Sequence, residues 1–201
     1  PLWSRGLGDV YKRQVLDNDP SMYFVESPST TNELIMSRYL LEKATTDQER
    51  RYLCGQIISR TYFHNFVTHF IEGYYQREVY KLIDKKEGFT ADDLSRIFKE
   101  TLQNFWGEDV EINEGSELTW MRQPHYYMGL YPYTYSAGLT IGTQVSKMIV
   151  EEGKPAAERW LKALALGSTE DSVGIAKAAG VDITTDKPLK DTIEYIGKVI
   201  D

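Results

Sequence analysis

From Thr30 to Ala44 the apolar positions Leu34, Ile35, Tyr39 and Leu41 recur every three to four residues, which predicts an amphipathic helix. A longer helix succeeds it from Asp47 to about Lys85. Leu53, Ile57, Ile58, Phe63, Phe66, Val67, Phe70, Ile71 and Tyr74 hold the same period there, with no internal proline and only Gly73 to weaken it. Thr90 with Asp93 forms a helix-opening box with an acid where Glu or Gln is usual; it starts a helix that runs to Trp106 and stops at Gly107. The stretch from Glu108 to Tyr131 has no period and is punctuated by Gly115, Pro124 and Gly129. It is also rich in Trp120, Met121, His125, Tyr126 and Tyr127, so it reads as a loop with something to pack or bind. Helical spacing returns from Pro132 to about Glu152. Gly153 breaks it, Pro155 sits where a first turn accepts proline, and the resulting helix ends at Gly167. Two short helices, Asp171 to Ala179 and Lys187 to Ile200, close the chain around the turn-like Gly180-Val181-Asp182. No alternating run argues for a strand, so the fold class is all-α, without internal repeats.

Pro1 to Gln14 shows neither a helical nor an alternating period and does not run on naturally into the residues after it. It looks like an adapter-derived, non-native tail and is set aside from fold reasoning. Residues 15–201 then read as one domain. The 201 residues, 41% hydrophobic and 26% charged, can bury a core. A net charge of −7 without a Lys/Arg stripe argues against a nucleic-acid partner and leaves a basic peptide compatible. The one cysteine, Cys54, permits neither an internal disulfide nor a cysteine zinc cluster, and suits a reducing cytoplasm. No apolar run approaches the roughly 20 residues that span a bilayer, and the N-terminus lacks the order of a signal peptide. The expectation is a soluble, cytoplasmic protein.

Two constellations could carry chemistry. In Phe24-Val25-Glu26-Ser27-Pro28-Ser29-Thr30-Thr31-Asn32-Glu33 two carboxylates lie seven residues apart, on one face if helical. The apolar residues before Glu26 suggest burial, and a buried carboxylate needs a partner. Zinc is one; the alternative is a capping acid in a first helical turn. The second constellation is Trp120 to Tyr127, continuing through Tyr131, Tyr133 and Tyr135. It places five tyrosines and a histidine within eleven positions. Hydroxyls and an imidazole can donate to peptide carbonyls and to a developing oxyanion, while their rings line an apolar groove; the alternative is an aromatic core plug. If Pro132 is the first helical residue, Tyr131 stands at the helix mouth and Tyr135 one turn inside.

The remaining histidines, His64 and His69, lie in HNFVTH, which is not H-E-x-x-H. Five apart on a helix they diverge, so both read as structural. Asp84-Lys85-Lys86-Glu87 reads as a solvated helix end, Cys54 as core, and neither a phosphate loop nor a Ser/His/Asp order is present.

FVESPSTTNE resembles the block of the thimet oligopeptidase and oligoendopeptidase F family of metallopeptidases that supplies the third zinc ligand. The stretch PHYYMGLYPYTYSAG is similar to the oligoendopeptidase F segment in which His125, Tyr127, Tyr131, Tyr135 and Gly138 fall at matching positions. GKPAAERWLKALALGSTEDSVGIAKAAGVDITT resembles the family's C-terminal helices. Three blocks in order, covering about Tyr23 to Ile200, favour the functional reading of both constellations.

The resemblance implies the helical C-terminal portion of a zinc metallopeptidase catalytic domain that hydrolyses short peptides. It makes Glu26 a zinc ligand; His125, Tyr131 and Tyr135 catalytic groups that orient the peptide and stabilise the tetrahedral oxyanion; and Tyr127 and Tyr133 substrate-binding. Glu33 would fix a ligand histidine by accepting its other N–H. The family's H-E-x-x-H helix does not occur upstream of Glu26 in this sequence, and Pro132 stands where an aliphatic residue is usual. One carboxylate cannot hold catalytic zinc, so the chain alone is expected to be inactive and to expose apolar surface. The competing readings are a non-catalytic helical module that binds peptides or a partner, and a related dipeptidyl carboxypeptidase.

Overall fold

The computed structural model describes residues 20–86 and 88–201. The tail Pro1–Gln14 lies outside the described residues, as does Glu87. Among the described residues eight α-helices succeed one another: α1 (Ser27–Lys43), α2 (Asp47–Gln56), α3 (His69–Asp84), α4 (Ala91–Trp106), α5 (Tyr133–Glu152), α6 (Lys154–Leu164), α7 (Ser172–Ala178) and α8 (Lys187–Ile200). Among the described residues there is no strand.

The helix ends obey the punctuation of the sequence. Thr90 Oγ1 accepts from Asp93 N, and the Asp93 carboxylate accepts in return from Thr90 N. Gly107 ends α4 at φ 66°, Gly153 separates α5 from α6 at φ 68°, and Gly180 turns the chain after α7 at φ 95°. A second box, Thr46 with Glu49, opens α2.

The long helix from Asp47 differs in its middle. Residues Ile57–Thr68 adopt π-helical, i to i+5, bonding between α2 and α3. The wider turn shifts the phase of the side chains. Thr61, Tyr62 and Asn65 turn inward, while Phe63 and Phe70, inward on an α-helical period, are exposed. Asn65 Nδ2 donates to the Thr61 carbonyl at 2.7 Å. Other apolar side chains also face outward, among them Met36, Phe105, Ile193 and Ile200.

The described residues divide into two compact units, 20–66 with 134–201, and 67–133. In the first, Phe24, Ile141, Val145, Trp160, Leu164, Ile175 and Val181 form one core cluster, and Leu34, Ile57, Tyr62 and Leu139 a second. In the second unit, Tyr75, Ile97, Phe98 and Tyr126 form the core. The aperiodic stretch folds there as two short 3-10 turns, Ser116–Met121 and Pro124–Tyr127. The Trp120 indole donates to Ser95 Oγ of α4 at 3.2 Å, which ties the first turn down.

Candidate functional site

In the first unit Glu26 occupies the N-cap position of α1, with Pro28 in the first turn. Its side chain makes no capping hydrogen bond to that turn. Instead Oε2 accepts from Ser29 Oγ at 2.7 Å, and the residue is only 5% exposed. The carboxylate is therefore buried and pre-oriented without capping the helix it precedes.

Small residues of α5 set its position. A Cβ on Gly138 would lie 2.7 Å from the Glu26 carbonyl carbon and 2.8 Å from Ser27 N, so only glycine lets the two backbones approach this closely. Thr30 Oγ1 donates to the Gly138 carbonyl at 2.9 Å, and a Cβ on Gly142 would meet Thr30 Oγ1 at 2.8 Å. Glu33, two turns along α1, is exposed and accepts from Thr61 Oγ1 at 2.5 Å. Tyr135 lies in the first turn of α5, half-buried.

The second unit holds His125, Tyr127, Tyr131 and Tyr133. His125 stands half-buried on the second 3-10 turn, its ring centroid 5.4 Å from that of Tyr131. Tyr131 is buried, whereas Tyr127 is 69% exposed. Gly129 and Leu130, both at positive φ, reverse the chain between them. Tyr133 begins α5, half-buried, and its backbone packs at Gly73 of α3. The aromatic-plug alternative fits the burial of Tyr126 and Tyr131, and not Tyr127.

Two further residues join His125. His64 is exposed and His69 buried, so the two diverge as their spacing implies. His69 Nδ1 lies 2.7 Å from Glu72 Oε2, one α-helical turn on, and the His69 and His125 rings are 5.8 Å apart. One ligand atom from each of His69, Glu72 and His125 lies within 4.8 Å of the other two. Gln76, the next residue on this face, donates to the His125 carbonyl at 3.2 Å. Burial first, then the charge of Glu72, pushes the pKa of the Tyr126 phenol well up, so it stays protonated beside that carboxylate. A sequence signal for this group exists. His69, Glu72 and Gln76 form a polar stripe, three and four apart, along the buried side of an otherwise apolar helix.

The model of peptidase family M3 matches residues 7–195. The chain belongs to that family. It is 28% identical over 184 residues to the oligopeptidase PepF of Bacillus subtilis, covering 90% of this chain and 27% of that protein. It is also 28% identical over 177 residues to an oligoendopeptidase F homolog of Borreliella burgdorferi, covering 86% and 29%. The chain spans under a third of the length of these curated relatives. The crystal structure of oligoendopeptidase-F from Enterococcus faecium superposes with a TM-score of 0.78 at 23% identity, covering 98% of this chain and 37% of that one. That of a putative peptidase from Chlamydophila abortus gives 0.79 at 21%. The all-helical fold is that of these solved structures, and the resemblance to the oligoendopeptidase F family holds. Among the described residues no helix is long and apolar enough to cross a membrane.

Proposed function

We propose that this chain is part of a zinc-dependent oligoendopeptidase acting on short peptides in the cytoplasm, and that Glu26 is its contribution to the zinc site. The observation that carries the reading is the Glu26 carboxylate, buried, held by Ser29 and making no capping bond to its helix. A buried carboxylate of this kind suits zinc, whose catalytic sites combine histidines with one Glu. When bound, the metal would polarise the scissile carbonyl and lower the pKa of water.

The chain's own groups would do the rest. His125, Tyr131 and Tyr135 orient the peptide and donate to the oxygen on which negative charge develops. The exposed ring of Tyr127 and that of Tyr133 offer stacking surface to substrate side chains. Glu33 would steady a ligand histidine, a role its exposed carboxylate can take while Thr61 donates to it. The 201 residues contain no H-E-x-x-H, so alone they hold neither the remaining ligands nor the general base, and the chain by itself is expected not to cleave peptides.

The test compares zinc content and quenched-peptide cleavage for the chain extended upstream at its native locus with the same protein carrying Glu26→Ala. The expected result is cleavage and one zinc equivalent that are both lost in Glu26→Ala. An extended protein that cuts nothing, and whose zinc content Glu26→Ala leaves unchanged, would make the chain a peptide-binding module and end the peptidase reading. Release of C-terminal dipeptides alone would move it to the dipeptidyl carboxypeptidases.

A further inference from the structure

We propose that His69, Glu72 and His125 form a second site for a divalent transition-metal ion, separate in all its ligands from Glu26. Two imidazoles and a carboxylate whose ligand atoms lie within 4.8 Å of one another are a donor set of the zinc class. Hard cations such as Mg2+ and Ca2+ prefer all-oxygen sites.

The surroundings supply what such a site requires besides ligands. His69 and Glu72 are held on one face of α3 at helical spacing, both buried. The third ligand comes from the 3-10 turn, whose backbone Gln76 fixes through the His125 carbonyl. Entry is provided too, because Glu72 lines a cleft of about 600 Å³ together with Thr68, Phe98, Trp106 and Arg122. Three protein ligands leave a coordination position for water or an exogenous group.

The site has a consequence that rests on the peptidase reading. A metal on His125 removes that imidazole from substrate, so excess Zn2+ or Co2+ would inhibit the extended enzyme through this site.

Co2+ titration of the 201-residue chain, monitored by visible absorption and calorimetry, tests the site without any activity. One equivalent is expected to bind with the intense bands of a four-coordinate N/O site. Glu26→Gln should leave this unchanged, while Glu72→Gln and His125→Gln each weaken it by on the order of 100-fold. Because His125 is half-buried on a turn, His125→Gln keeps the helix packing should Glu72→Gln unfold the unit, which circular dichroism reports. A folded chain that binds no Co2+, or one whose binding is lost in Glu26→Gln and kept in His125→Gln, overturns the proposal. An extended protein that cuts nothing while the chain still binds Co2+ defeats the peptidase reading alone.

Discussion

The two units build their polar sites by opposite means. Around Glu26 the chain uses close backbone approach: Gly138 and Gly142 of α5 face a buried row of Ser27, Thr30 and Thr31 on α1, with Thr134, Thr143 and Ser146 alongside. Around His69 and Glu72 it uses bulk. Tyr75, Phe98 and Tyr126 meet edge to face at centroid distances of 4.9, 5.4 and 5.9 Å, and Tyr126 belongs to the same turn as His125. A site made by small residues fixes its carboxylate through the backbone and tolerates no added atom. A site propped by rings fails when a ring is removed.

The largest effect that would break this contrast is expected from Phe98→Ala. The ring is 3% exposed and central to its cluster, so truncation should cost about 4 kcal/mol, the usual range for a buried aromatic. Guanidinium unfolding of the chain measures the loss, and amide exchange locates it. Faster exchange confined to 67–133 is the outcome in keeping with two units. Uniform acceleration across α1 and α5 would show that one cooperative core carries both. Gly138→Ala comes next, at about 3 kcal/mol, because the new methyl meets backbone atoms that no rotamer change can move. Its exchange signature should fall on α1 and α5. A Gly138→Ala chain with an unshifted unfolding midpoint would show that Glu26 is not locked by this approach.

The same contrast explains what could be read without coordinates. Helix ends were legible where a single residue decides them, as Thr90, Gly107 and Gly153 do. The burial of Glu26 was legible because its surroundings are local: the apolar residues before it, then Pro28 and Ser29. The π-helical stretch was not, since no residue in Ile57–Thr68 announces i to i+5 bonding, and the shift of phase turned Tyr62 in and Phe63 out. The group at His69 was illegible for a related reason. Its third member comes from an aperiodic loop 56 positions away, and nothing in the spacing says which helix face that loop covers. The stripe of His69, Glu72 and Gln76 marked the face but not the partner.

The smallest effect separates the units through their helix caps. Glu49 opens α2 in one unit and Asp93 opens α4 in the other, each bonded to the threonine three residues before it. Bonds from Thr45 and Thr46 hold Glu49 below its ordinary 4.5, and bonds from Thr90, then Arg96, hold Asp93 below its ordinary 3.8. A depressed folded value means that the charged form is favoured by folding. Each cap therefore contributes fully above the ordinary value and is lost as pH falls through the depressed one, so the Glu49 cap begins to weaken at higher pH than the Asp93 cap. Carboxyl-carbon NMR titration should place both transitions below their ordinary values. Thr45→Ala, which removes the larger side-chain bond to Glu49, should move Glu49 toward 4.5 and leave Asp93 where it is, and Thr90→Ala the reverse. Movement of the distant carboxyl in either variant would show that the two helix starts are coupled, and that the division between a backbone-locked unit and a ring-propped one does not extend to their ends.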